Sequence, residues 1–142
     1  MPGAADLLRA TARLGLDVVL ATSAKADEVD LMLDALGAGS AVSAVVSSGD
    51  VDRAKPDPGI VQRALDESDI DPGCAVMVGD AVWDVMAAER AGIRCIALLC
   101  GGIAAEQLRG AGAADVYQDP AALLDDIHAS PIGQLGMRLT SR

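Results

Sequence analysis

The sequence has no phenylalanine, one tryptophan and one tyrosine among 142 residues, so any core it builds is aliphatic. That disfavours an aromatic-rich β-sandwich and suits close packing of helices on a sheet. Basic residues are scarce: 11 lysines and arginines stand against 21 acids, for a net charge of −10. Nucleic acid and anionic membrane surfaces repel such a chain and are excluded as partners. No apolar run approaches the roughly 18 residues of a membrane span. The opening MPGAADLLRA carries an acid early and lacks a basic segment, so no signal peptide is expected. Cys74, Cys95 and Cys100 form no Cys-x-x-Cys pair, and His128 is the only histidine, which argues against a structural zinc site. The cysteines read as small buried residues of a reducing, cytoplasmic compartment. Any histidine base would have to be His128, which follows Asp125 and Asp126 closely and reads as a surface residue.

What is present is a 51 % hydrophobic chain of single-domain length in which two periods alternate. Helical spacing covers 4–14, 26–37, 57–68, 81–92, 104–112 and 120–128. Short apolar runs at 16–22, 41–48, 74–79, 93–99 and 114–118 read as strands. Residues 1–128 form one α/β unit in this reading. The tail 129–142 has no clear period and is expected to be flexible. Strands alternating with helices imply a parallel sheet covered on both faces, with ligands at the carboxyl ends of the strands.

The residues after those strands are chemically selective. Thr22 and Ser23 follow the first, Ser47, Ser48 and a loop bearing Lys55 the second, Asp80 and Asp84 the third, and Cys100-Gly101-Gly102 the fourth. Singly, each has an ordinary role: a helix cap for Thr22, Ser23 or Asp80, a solvated charge for Lys55 or Asp84. Yet the chain has only two lysines, and Pro56 and Pro58 stiffen the loop around one of them. Together these groups supply a hydroxyl and helix N-terminus for phosphate oxygens, an ammonium, and paired carboxylates suited to a hard cation. Two carboxylates four residues apart repel, and a cation with a helix N-terminus would offset that.

The segments VVLATSA (18–24), AKPDP (54–58) and VGDAVWDVMAAERAG (78–92) resemble, in order, the second, third and fourth motifs of the haloacid dehalogenase (HAD) superfamily. Its phosphatases of the phosphoglycolate phosphatase type are the nearest resemblance, over residues 2 to 128. The resemblance implies a three-layer α/β/α Rossmann-like fold and Mg²⁺-dependent hydrolysis of a small phosphorylated metabolite. It implies catalytic roles for Thr22 and Lys55, phosphate binding by Thr22, Ser23 and Lys55, and metal ligation by Asp80 and Asp84. The family's first motif, Asp-x-Asp-Gly-Thr, provides the nucleophile and the acid/base. It is missing here: Asp50-Val51-Asp52 precedes Arg53 inside the lysine loop, and Asp69-Ile70-Asp71 precedes Pro72-Gly73.

The strand that carries this motif is central in the family, between the strands ending at Thr22 and Asp80. Its four or five apolar side chains would each contribute about 1.5–3 kcal/mol on burial. Without it the flanking strands close up, another chain supplies the strand, or the sequence is a truncated product or part of a longer protein, and the last is favoured because the rest of the pattern shows no adjustment to the loss. The expectation is a partial core with a weak Mg²⁺ site, inactive alone. It would pair as a homodimer or with a partner that supplies the strand. A non-catalytic binding protein that kept the fold is the alternative. A receiver domain is disfavoured, because there the acidic pair precedes Thr and Lys.

Overall fold

The computed structural model describes residues 3–21, 26–37, 41–46 and 59–140. Strands β1 (Val19–Ala21) and β2 (Ala44–Val46) pair in parallel, with Val19 opposite Ala44. Strands β3 (Val76–Gly79), β4 (Arg94–Leu98) and β5 (Asp115–Tyr117) form a second parallel sheet in that order. Each lies within the run expected for it. No hydrogen-bonded ladder joins β1 to β3 among the described residues. The flanking strands have therefore not closed up.

Helices α1 (Ala4–Arg13), α2 (Ala26–Leu36), α3 (Gly59–Ser68), α4 (Val82–Ala91), α5 (Ala105–Ala111) and α6 (Pro120–Asp125) alternate with the strands. The stops fall where the sequence set them. Gly92 adopts φ 80° after α4, and Ile93 N donates to Ala88 O at 2.9 Å, the left-handed closure that glycine permits without strain. On one face, α4 and α5 cover β3 to β5 through Val85, Ala88, Cys95, Ala97 and Leu108. On the other face, Leu7 of α1 and Leu123 of α6 pack on Ile96 and Leu98 of β4. These two clusters make β4 the deepest strand.

The tail departs from expectation. Residues Pro131–Thr140 form a seventh helix, α7, and Ile132 and Leu135 are buried. Small residues allow the approach. A Cβ on Gly133 would overlap the carbonyl oxygen of Ile127 and sit 2.5 Å from that of His128. Ser130, fully buried, donates its hydroxyl to Ile127 O at 2.6 Å. Ile132, Leu135 and Leu139 stand at i, i+3 and i+7, a helical spacing that Gly133 and Gly136 interrupt and that the expectation missed. The cysteines also differ from the uniform burial expected: Cys95 is buried, Cys74 is half-buried and Cys100 is exposed. His128 is exposed, as its neighbours implied.

Tyr117, the sole tyrosine, ties β5 to the end of α6. Its hydroxyl lies 2.6 Å from Asp126 Oδ2 and 3.2 Å from Asp115 Oδ2. Burial, and then hydrogen bonding to Asp126 and the two negative charges, push its ionisation well above the usual range. The folded state holds this proton more tightly than the unfolded chain. The resulting stability is present below pH ~10 and is lost progressively above it. Ultraviolet titration of the folded protein should show no tyrosinate at a pH where the denatured chain is half ionised. Separately, Gly133→Ala should lower stability to urea by about 1–3 kcal/mol, because the backbone beneath α7 must move.

Candidate functional site

The strand-to-helix turn after β3 is the best-defined polar feature at the carboxyl edge of the sheets. β3 ends at Gly79, Asp80 and Ala81 form the turn, and Ala81 is the N-cap of α4. Asp80 therefore precedes the helix and does not share a helical face with Asp84. Asp84 occupies the third helical position, and its side chain turns back. Its Oδ2 accepts from Asp80 N at 3.0 Å and from Ala81 N at 3.2 Å. This is the acidic half of a capping box; Ala81 has no side-chain oxygen to return the bond.

The geometry explains how two carboxylates stand so close. Asp84 is 5 % exposed, yet two amides and the positive end of α4 receive its charge. Gly79 is required by the same contact. A Cβ there would lie 2.5 Å from Asp84 Cβ and 2.6 Å from Oδ2. Gly101, in the loop after β4, makes the corresponding approach to Asp80: its Cβ would lie 2.8 Å from Asp80 Cγ. Two glycines thus clear space on either side of the acidic turn. The sequence showed Gly79 only as the residue before Asp80, and Gly101 only as part of a strand-end Cys-Gly-Gly. Their contact role needs two chain segments to meet.

Trp83, one residue before Asp84, is 58 % exposed and makes no part of the three buried clusters. Thr22, Ser23 and Lys55 lie outside the described residues. The structure therefore brings Asp80 and Asp84 together and leaves the other three candidates undescribed. As a cation site the turn fits Mg²⁺ in kind, since its donors are carboxylate oxygens. In number it falls short: among the described residues no group of three or more His, Cys, Asp or Glu side chains converges. A separate cleft of about 320 Å³, lined by Glu89, Arg94 and Gly112 among others, opens near the start of β4, at the other end of the strands from Asp80.

A parallel α/β core with an acidic turn at a strand's carboxyl end serves several kinds of α/β protein, and known proteins narrow it. The haloacid dehalogenase-like hydrolase family model matches residues 1–92, and the chain belongs to that family. It is 32 % identical over 124 residues to phosphoglycolate phosphatase from Rhodospirillum rubrum, covering 87 % of this chain and 51 % of that protein. It superposes on a hydrolase from Pseudomonas syringae with a TM-score of 0.82 at 33 % identity, covering 91 % of this chain and 62 % of the other. CbbY from Rhodobacter sphaeroides in complex with phosphate matches with a TM-score of 0.72 at 30 % identity, covering 86 % and 55 %. The chain spans about half the length of the curated relative from Rhodospirillum rubrum.

The clamp assigns unequal structural weight to the two acids. Asp84→Ala should cost about 1–3 kcal/mol in urea unfolding, because two amides at the buried turn lose a charged acceptor. Asp80→Ala should cost less, and circular dichroism should show both variants folded.

Proposed function

We propose that this chain is part of the core of a phosphate monoester phosphatase of the haloacid dehalogenase type, acting on a small phosphorylated metabolite in the cytoplasm. The observation that carries the reading is the Gly79-Asp80-x-x-x-Asp84 turn, with Asp80 at the carboxyl end of β3 and its backing acid locked on two amides. The relatives' names support a phosphatase, and similarity to CbbY holding phosphate supports a phosphate site. No helix among the described residues is long and apolar enough to cross a membrane.

In this reading Thr22 and Ser23 bind the transferring phosphate, and Lys55 steadies it as a point charge. Asp80 would supply a ligand oxygen to Mg²⁺, and Asp84 would orient that end of the site through the turn it braces. The cation, when bound, neutralises charge on the phosphoryl oxygens. The in-line carboxylate and its acid partner are absent from these 142 residues, since neither Asp50-Val51-Asp52 nor Asp69-Ile70-Asp71 ends a strand run. The chain alone is therefore inactive: it holds positioning and electrostatic parts without the group that attacks phosphorus. The exposed Trp83 supports a role at the mouth of the site.

The test has two arms, both with p-nitrophenyl phosphate and millimolar Mg²⁺. The isolated chain should turn over no faster than its Asp80→Asn variant. A single-chain hybrid, joining it to the part of the Rhodospirillum rubrum enzyme outside the match, should hydrolyse the ester. In the hybrid, Asp80→Asn should lower kcat by about 10²–10³-fold. Turnover by the isolated chain would refute its inactivity. A folded hybrid without turnover would refute the phosphatase reading and favour a non-catalytic binding protein.

A further inference from the structure

The cleft near the start of β4 takes no part in the acidic turn, and its lining is chemically mixed. Val85 and Cys95, both buried, and the half-buried Ile93 supply apolar surface. Its volume of about 320 Å³ lies at the lower end of small-molecule sites. Glu89 and Arg94 are its two charged lining residues. Glu89 stands where a carboxylate is electrostatically unfavourable. It lies in the last turn of α4, and its Oε2 comes within 3.2 Å of the point that a Cβ on Gly112, the C-cap of α5, would occupy. Both helix ends carry partial negative charge. The Glu89 carboxylate makes no hydrogen bond or ion pair among the described residues. Arg94 shares the cleft yet does not neutralise it, because its Nη1 donates to Gln134 Oε1 of α7 at 3.2 Å. Two opposite charges thus line one apolar-floored cleft without pairing to each other.

We infer that this cleft binds a small zwitterion with an aliphatic body, of the size and charge pattern of a free branched-chain amino acid. The ammonium meets Glu89 and offsets the two negative helix ends. The carboxylate meets the Arg94 guanidinium, which has five donors and gives one to Gln134. The aliphatic body lies on Val85, Ile93 and Cys95. Ligands of a single charge fit less well. A plain cation faces Arg94, and a plain anion faces Glu89 and both helix ends, so each charge of the cleft rejects one of them. The site lies at the other end of the strands from Asp80, and the inference does not rest on the phosphatase reading.

The experiment titrates L-leucine into the 142-residue chain and follows the backbone amides by NMR. Saturable shifts are expected at Gly92, Ile93, Gly112 and Ala114, with a Kd of about 1 mM. Two analogues dissect the charges: isopentylamine lacks the carboxylate and isocaproate lacks the ammonium. Each should bind about tenfold more weakly than leucine. Glu89→Gln should weaken leucine by a similar factor without weakening isocaproate. Arg94→Gln should weaken leucine without weakening isopentylamine. Both side chains are exposed, so circular dichroism should be unchanged in either variant. The inference is overturned if leucine gives no saturable shift at these amides. It is also overturned if either analogue binds as tightly as leucine, or if leucine binds both variants as it binds the parent chain.

Discussion

Everything in this chain depends on apolar contact across an interrupted sheet. The two sheets share no ladder among the described residues, so backbone hydrogen bonds do not fix one against the other. That role falls to α3 and α4. Ile60, Val61 and Leu65 on one helix meet Ala87 and Ala91 on the other, and Val46 of β2 is buried beneath them. The alanines matter because helices approach closely only where side chains are small. Such contact is non-directional and roughly proportional to area. It can hold the two sheets together where no described ladder joins them.

The same helix joins this packing to the site. Ala87, Ala88 and Ala91 anchor α4 in the core, and its N-terminus presents the amide edge that Asp84 closes. The direction of α4 and the geometry of the acidic turn are therefore one structural fact. Asp84 accepts from the amides of Asp80 and Ala81 and so fixes the backbone on which Asp80 stands. Gly79 and Gly101 complete the turn by clearing space, a function of contact rather than of backbone freedom.

The strand layer of the described residues falls into two parallel sheets within a family fold. Similarity over 91 % of the chain at a TM-score of 0.82 shows that the remaining layers assemble as in longer relatives. Chemistry asks for more than the scaffold: a nucleophile in line, an acid for the leaving group and a filled metal shell.

The sequence by itself determined the order and type of the elements, because strand and helix periods and glycine stops are local signals. All five strand runs and the first six helices contain or closely match the observed elements. It also marked Asp80 and Asp84, since their spacing after a strand is visible in one dimension, and the order of motifs pointed to the family. Tertiary structure alone decided what those residues touch. Asp84 folds back on two amides, Gly101 comes from another loop to meet Asp80, and Trp83 stays in solvent. Helix α7 carries a short apolar spacing, Ile132, Leu135 and Leu139, which its two glycines obscure, while its close contact with the preceding turn at Gly133 and Ser130 is tertiary. Local patterns record what a segment prefers, while a close approach between segments is recorded only where they meet.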